Sequence, residues 1–219
     1  MEEPRPRYSV SGLMTYEACP HQYKATYIDG RPPPVTAGMR RGTSVHNVIA
    51  RHMRAPALLR EDVPADIQPL FDRFLHSRFN IAPVAVERPF VLPFDRGDVH
   101  GRIDLVLPRP DGGLELVDFK SGSGGQRDDP AARLQLPLYA MATARRHGLP
   151  PESVAFTYFY LGDGAEHQFV PTNATFAETT ERVERIIRAI EEGRFEAPPG
   201  CTCYACRGEF GRRRTPARR

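Results

Sequence analysis

The feature that most constrains the fold of this chain is a short apolar segment, LELVDFK at residues 114–120, which carries an aspartate and a lysine. Side chains alternate between the two faces of a strand, so Asp118 and Lys120 share one face while Val117 and Phe119 share the other. A strand this apolar is expected to be buried on both sides. Burying a carboxylate or an ammonium group is costly unless the charge is paired or bound to a metal ion. The segment therefore predicts a buried strand with a charged site.

A second acidic side chain is expected beside Asp118. Residues 98–108, DVHGRIDLVLP, have the pattern of the preceding strand, and the DGG sequence at 111–113 predicts a hairpin turn. With the turn centred on its first two residues, residue n lies opposite roughly residue 223 − n. That register places Asp104 opposite Phe119 and next to Asp118. Two neighbouring carboxylates repel each other unless a divalent cation holds them, and oxygen ligands suit Mg²⁺ or Mn²⁺. The alternative is a buried aspartate–lysine ion pair without chemistry.

The remaining sequence alternates helical and strand patterns, which predicts a mixed α/β fold. The first ten residues are expected to be a flexible leader, with Ser9 or Ser11 capping a short helix and Pro20 starting another. Apolar spacing predicts further helices at about 43–53, 67–79, 129–147 and 176–193. The helix at 129–147 would be capped by Asp129 and kinked at Pro137. Period-two patterns predict strands at 84–94, 98–108, 114–120, 153–161 and 166–171, the first three as an antiparallel meander.

Composition narrows the class of protein. The chain has 219 residues and no stretch of about 20 apolar residues, so no membrane-spanning helix is expected. Its first residues lack the apolar core of a secretory signal, which favours the cytoplasm. The net charge is +3, and the tail 207–219 contributes six arginines against one glutamate. The rest of the chain is slightly acidic, so bulk charge alone does not indicate nucleic-acid binding.

Five motifs in order resemble the RecB-like branch of the PD-(D/E)XK nuclease superfamily, over about residues 8–206. The first is an N-terminal motif at 9–23, which consists of Ser9-Val10-Ser11-Gly12-Leu13 with Tyr16, Cys19-Pro20 and Tyr23. The second is the Gly-x-x-x-His motif at Gly42–His46. The other three are Gly101-Arg102-Ile103-Asp104, Val117-Asp118-Phe119-Lys120-Ser121-Gly122 and Gln135-x-x-x-Tyr139. The resemblance implies a restriction-endonuclease-like core, with a central mixed sheet flanked by helices. It implies one domain over 1–219, with a helical part at 1–83, the nuclease core at 84–195, and a cysteine-bearing segment with the basic tail at 196–219.

The resemblance also implies roles for individual residues. The metal ligands would be His46, Asp104, Asp118 and the backbone carbonyl of Phe119, and Lys120 would be the catalytic lysine. Gln135 and Tyr139 share a helix face and would position the DNA strand or support the lysine, although ordinary helix packing is the alternative. Glu87 is either a further acidic group near the site or a surface glutamate.

The function implied is a Mg²⁺- or Mn²⁺-dependent deoxyribonuclease that hydrolyses phosphodiester bonds. It would be exonuclease-like on single-stranded or end-processed DNA in repair or recombination, with a helicase as a possible partner. The first alternative is a catalytically idle DNA-binding or scaffolding module of a helicase–nuclease complex. The second is a structural zinc protein whose acidic residues are unrelated to its cysteines.

Four cysteines form the last constellation. Cys201, Cys203 and Cys206 have the spacing C-x-C-x₂-C, and Cys19 is distant in sequence. The AddB and CRISPR-adaptation branches hold an iron–sulfur cluster with one N-terminal and three C-terminal cysteines, so the resemblance implies a [4Fe–4S] cluster here. The spacing departs from the commoner C-x₂-C-x₅-C arrangement, whose last position here is Arg212, and Cys201 would serve instead. Structural zinc and free thiols are the alternatives.

Overall fold

The structure is a computed structural model that describes residues 5–55, 62–124 and 132–211. Within these residues the chain forms six α-helices and six β-strands, which confirms the α/β class. In chain order the elements are β1 (Arg7–Ser9), α1 (Val10–Ala18), α2 (Pro20–Tyr23), a π-helix (Lys24–Ile28), α3 (Ala37–Arg54), α4 (Gln68–Leu75), β2 (Ala85–Phe94), β3 (Gly97–Pro108), β4 (Leu114–Lys120), α5 (Ala132–His147), a 3₁₀ turn (Pro151–Ser153), β5 (Val154–Tyr160), β6 (Glu166–Phe169) and α6 (Asn173–Glu191).

The strands form one mixed sheet in the order β1-β3-β4-β5-β6, with β2 also paired to β3. β3 runs antiparallel to β4, β4 runs parallel to β5, and β5 runs antiparallel to β6. A parallel pair needs a crossover, and α5 supplies the one between β4 and β5. The first residues of β3 pair in parallel with β1.

The chain divides into two compact units. The first contains the described parts of Met1–Thr36, Val91–His100 and Ala177–Arg219, and the second those of Ala37–Phe90 and Gly101–Phe176. In the first unit, the N-terminal helices pack against the end of α6 and the residues after it. The Tyr16 hydroxyl donates a hydrogen bond of 2.6 Å to the Arg194 carbonyl, and the Tyr23 ring stacks on Phe195.

In the second unit, the core forms where α3 and α4 cover one face of the sheet. Phe71, Phe74 and Val45 from these helices pack with Val117 and Phe119 of β4, and all five are almost fully buried. On the other strand face, Leu116 is also fully buried. β4 is therefore buried on both sides, as its apolar sequence predicts.

The hairpin between β3 and β4 differs by one residue from the predicted register. Leu105 pairs with Val117, and the loop is closed by a hydrogen bond of 2.9 Å from the Arg109 amide to the Gly113 carbonyl. The turn is thus centred on Asp111, not between Asp111 and Gly112, and Gly112 supplies its positive φ of 83°. One step further along this register, Asp104 lies opposite Asp118 instead of Phe119. The correction places the two aspartates on the same face of the sheet.

Other predicted elements differ at their ends. The supposed leader contains β1, because pairing with residues 98–100 is a non-local interaction that local sequence does not reveal. Ser9 caps α1 through the Gly12 amide, as predicted, and α2 begins at Pro20. α3 starts earlier than predicted, α4 is shorter, and α5 continues through Pro137. The predicted cap at Asp129 lies outside the described residues.

A buried glutamate joins β4 to the segment after α4. Glu115 accepts hydrogen bonds of 2.8 Å on both oxygens from Arg78, and one of 2.6 Å from the Thr157 hydroxyl. Burial alone would raise the pKa of Glu115, but the Arg78 and Thr157 hydrogen bonds outweigh burial and lower it. A lowered pKa means that the ionised side chain stabilises the fold above the ordinary glutamate pKa, and that this stabilisation is lost as pH falls through the lowered value.

Glu115→Gln should therefore lower the free energy of unfolding by about 1–3 kcal/mol near neutral pH, because Arg78 loses its buried carboxylate partner and keeps Glu166, which is about one third exposed. The difference from wild type should shrink as the pH falls below the ordinary glutamate pKa. Urea unfolding of both proteins across this pH range measures it, with the exposed Glu152→Gln as the matched control. A difference that stays constant with pH would contradict the assignment.

Candidate active site

The site forms at the end of the β3–β4 ladder. Asp104 and Asp118 lie on facing strands, and the Asp104 Oδ2 atom accepts a hydrogen bond of 3.3 Å from the Phe119 amide. Asp118 is only 6% exposed and lies in a strand whose other residues, apart from Glu115 and Lys120, are apolar. Burial raises the pKa of Asp118; the Lys120 charge opposes this shift and the Asp104 charge adds to it. The two aspartates are thus close enough to repel each other.

His46 reaches the same point from α3. Its Nδ1 atom lies 3.0 Å from Asp104 Oδ2, and its Nε2 atom lies 2.7 Å from the Phe119 carbonyl oxygen. Burial disfavours the charged imidazolium, but the hydrogen bond and charge of Asp104 outweigh burial and raise the pKa of His46. The histidine, the carboxylate and the carbonyl that the sequence predicts as ligands are therefore in direct contact.

Lys120 lies at the end of β4, where the site meets solvent. Its Nζ atom is 2.8 Å from Asp118 Oδ2 and 4.5 Å from the centre of the Tyr158 ring, a cation–π contact. Its side chain remains about one third exposed. The ammonium group is thus held beside the buried carboxylate while it can still reach a ligand from solvent.

Gln135 fixes the second oxygen of Asp118. Its amide donates a hydrogen bond of 2.8 Å to Asp118 Oδ1 and accepts one of 3.0 Å from the Tyr158 hydroxyl. Tyr139, one turn later on α5, is buried next to Gln135, and this burial raises its pKa. In the described structure, Gln135 contacts the Asp118 carboxylate directly, whereas Tyr139 packs against the rings of Phe90 and Phe156.

Tyr158 is a residue that the sequence analysis missed. The parallel pairing of β4 with β5 places it opposite Asp118, where it contacts both Lys120 and Gln135. Its segment reads only as an apolar strand, and nothing local shows which strand it joins. Tyr158 reaches the site because the α5 crossover places β5 next to β4.

Glu87 lines the same small cavity as His46 and Asp104. Its side chain is only 9% exposed and lies 2.5 Å from the Arg102 guanidinium, so it is not a surface glutamate. Burial raises the pKa of Glu87, partly opposed by Arg102. Its φ of 52° is in the left-handed region, which is costly for a residue with a side chain. This conformation interrupts the alternation of β2, so that Val86 and Glu87 both face the cavity.

The donor atoms fit a hard divalent cation. The Asp118 Oδ2 atom is buried, and among the described residues its partner is the Lys120 ammonium at 2.8 Å. Asp104 lies beside Asp118 as well, and two neighbouring carboxylates repel each other unless a divalent cation holds them. Two carboxylates, a carbonyl oxygen and an imidazole also form a donor set that Mg²⁺ or Mn²⁺ accepts.

The four cysteines meet in the first unit. One sulfur atom from each lies within 4.8 Å of all the others, and Cys19 Sγ is 3.8 Å from Cys206 Sγ. Cys19 also caps α2 by accepting a hydrogen bond from the Gln22 amide. Burial raises the pKa of the Cys19 thiol. Four convergent sulfur atoms from one N-terminal and three C-terminal positions fit a structural zinc ion or an iron–sulfur cluster.

A divalent cation held by paired carboxylates can activate a water molecule and stabilise charge on a phosphoryl oxygen. A family model of the PD-(D/E)XK nuclease superfamily matches residues 7–75 and 58–208. The chain therefore belongs to this superfamily, and the predicted resemblance is confirmed at that level. The family implies a nuclease, a divalent metal and a DNA substrate. The RecB-like and AddB-like branches stay predictions.

The fold is also that of a solved structure. A crystal structure of a candidate exonuclease from Eubacterium rectale is similar with a TM-score of 0.62 and 14% identity, covering 95% of this chain and 90% of that one. A structure of the protein SSO0001 matches with a TM-score of 0.44 and 16% identity, covering 86% and 78%. A search of curated proteins gives no significant match. Among the residues that the structure describes, no helix has the length and apolar character needed to cross a membrane.

Gln135→Met should weaken Mn²⁺ binding by about 10- to 100-fold, because it removes the amide that orients Asp118 and leaves the side-chain volume similar. Calorimetric titration with the metal alone measures this effect without any cleavage. Gln168→Met is the matched control, since Gln168 bonds to Glu115 instead. An unchanged Mn²⁺ affinity in a folded Gln135→Met protein would show that Gln135 does not support a metal ligand.

Proposed function

We propose that the protein is a Mg²⁺- or Mn²⁺-dependent deoxyribonuclease that hydrolyses phosphodiester bonds, exonuclease-like on single-stranded or end-processed DNA. The observation that supports this most is the buried Asp118 carboxylate, which lies beside Asp104 and pairs with Lys120. Two neighbouring carboxylates repel each other unless a divalent cation holds them, so the arrangement favours a metal site over a purely structural ion pair.

Asp104, Asp118, His46 and the Phe119 carbonyl would hold the metal. When bound, the ion would supply Lewis-acid stabilisation of phosphoryl charge and a lowered pKa for a water molecule. Gln135 and Tyr158 keep the Asp118 carboxylate in place from behind. Glu87 adds a further carboxylate near the site. We propose that it holds Arg102 in position and balances the charge of the cavity.

Lys120 would act on the substrate. Its ammonium group is anchored by Asp118 and the Tyr158 ring yet remains partly exposed, so it can donate a hydrogen bond to a water or a phosphate oxygen. Stabilising charge as it develops on the phosphate lowers the barrier to hydrolysis. This role needs a cation at a fixed position, which the short Asp118 contact provides.

The finer features of the function follow from the motifs and from the similar solved structure. The order of the motifs from Gly42–His46 to Gln135–Tyr139 supports the RecB-like branch, and the Eubacterium rectale protein supports exonuclease action through its name. We infer a role in DNA repair or recombination beside a helicase, in the cytoplasm and within one nuclease domain, from the same resemblance.

Lys120→Ala and Asp118→Asn should each reduce Mg²⁺-dependent cleavage of end-labelled single-stranded DNA by roughly 10²–10³-fold or more. The matched control is Lys24→Ala, which removes the chain's other lysine from an exposed position. Product lengths over time separate the modes, since an exonuclease releases short products from the start. DNA binding without metal-dependent cleavage in the wild type would instead support the catalytically idle binding module.

We also propose that Cys19, Cys201, Cys203 and Cys206 hold a [4Fe–4S] cluster. The division into one N-terminal and three C-terminal ligands supports it, and the four sulfur atoms converge on one point. The 3.8 Å between Cys19 Sγ and Cys206 Sγ is instead the spacing of a tetrahedral zinc site with Zn–S bonds of about 2.3 Å. Structural zinc would use the same four thiolates. Either centre would join segments that are far apart in sequence.

Protein purified without oxygen should be brown, absorb visible light broadly and contain about four iron atoms per chain. Cys203→Ser should lose this colour, and the neighbouring Thr202→Ser should keep it. A colourless protein that contains one zinc per chain would contradict the cluster and support the structural zinc site. A metal-free protein would leave the thiols unliganded and contradict both.

A further inference from the structure

A second concave site lies in the same unit, next to α5. It is a cavity of about 170 Å³ between β2, β3 and the C-terminal half of the helix. Its floor is apolar and is formed by Phe90, Ile103, Val106 and Ala142. Nothing in the proposed hydrolysis uses this cavity.

The size of the cavity restricts its occupant. Sites for drug-sized ligands begin at about 300 Å³, so this cavity has room for a single planar ring system but not for a whole nucleotide. An apolar floor with one aromatic wall favours a flat group that stacks. Thr143 adds a hydroxyl to the lining, and this hydroxyl can still accept a hydrogen bond after donating one to the Tyr139 carbonyl.

The charge around the cavity is one-sided. Arg88 from β2 and Arg146 and His147 from α5 line it, and no acidic residue of the described chain is among its lining residues. Cations at the end of a helix also complement the helix dipole, which by itself would explain Arg146 and His147. That explanation does not extend to Arg88, which lies on a strand on the other side of the cavity. The positive rim therefore fits an anionic group attached to the flat one.

The cavity is connected to the candidate active site. The Phe90 ring, which lines the cavity, meets the Tyr139 ring at a centroid distance of 5.3 Å, and Tyr139 lies one turn from Gln135. From Gln135, which bonds to Asp118, to Arg146 the helix rises by roughly 16 Å at 1.5 Å per residue. At about 3.4 Å per stacked nucleotide, this distance corresponds to no more than about five nucleotides.

The geometry points to a base-binding subsite, which we call the base cavity. It takes one unpaired base of a DNA strand a few nucleotides from the bond that is cleaved, while Arg88 and Arg146 contact the flanking phosphates. A base held in a duplex cannot enter such a cavity, so the base cavity selects single-stranded DNA. This inference rests on the proposed nuclease function and adds the residues that select single-stranded DNA.

Anisotropy of a labelled oligothymidine, measured with chelator to prevent cleavage, tests the base cavity. Ala142→Leu fills the cavity and should weaken binding by about 5-fold or more without changing its salt dependence. Arg146→Gln should lower the slope of log affinity against log salt by about 0.7, the value for one phosphate contact on a single strand. Arg145→Gln, which removes the adjacent charge outside the cavity lining, is the matched control and should change the slope less.

Cross-linking of an oligonucleotide with one iodouracil gives a readout that needs no substitution, should Ala142→Leu fail to fold. The cross-linked peptide should contain Phe90 or His147 when the modified base lies within about five nucleotides of the cleaved bond. Two results would overturn the inference of a base cavity and leave the proposed function intact. One is an equal salt slope for Arg145→Gln and Arg146→Gln, and the other is a protein that cleaves DNA but cross-links outside the cavity. A wild type that neither binds nor cleaves DNA would overturn the proposed function as well.

Discussion

The buried Asp118 carboxyl group in β4 is the constraint on which the rest of the second unit depends. A carboxylate that is 94% buried is stable only if its surroundings replace the water it loses. Gln135 supplies a hydrogen bond to one oxygen and Lys120 a positive charge to the other. Both partners are themselves held by Tyr158, so the crossover that brings β5 next to β4 is also what completes the site.

The position of the second carboxylate depends on the register of one hairpin. The five-residue loop at 109–113 fixes Leu105 opposite Val117, and a slip by one residue would exchange the faces of every side chain on β3. The Asp104 side chain would then face away from Asp118, and His46 would lose its carboxylate partner. Turn chemistry at Gly112, distant from the site, therefore contributes directly to the geometry of the charged groups.

Local sequence patterns predict most of the helices and strands, and charged residues within apolar segments predict the candidate site. Asp118, Lys120 and Asp104 were found this way, because a charge within a buried strand requires an explanation. β1, the partner of β5 and the role of Tyr158 were not, because they depend on pairings between distant segments that no local pattern encodes. Glu87 was left undecided for the same reason: its burial follows from a single left-handed residue in β2.

The two candidate centres lie in different units, which indicates that they have different roles. All four cysteines belong to the first unit and all candidate hydrolytic residues to the second. Phosphodiester hydrolysis transfers no electrons, so a cluster is not required for its chemistry. Cys19 and Cys206 are 187 residues apart. In the chain-entropy treatment, a cross-link that closes a loop this long raises the free energy of the unfolded chain by about 5 kcal/mol. A metal centre bound here would therefore stabilise the fold, by holding the N-terminal helices to the C-terminal segment in the unit that contains both.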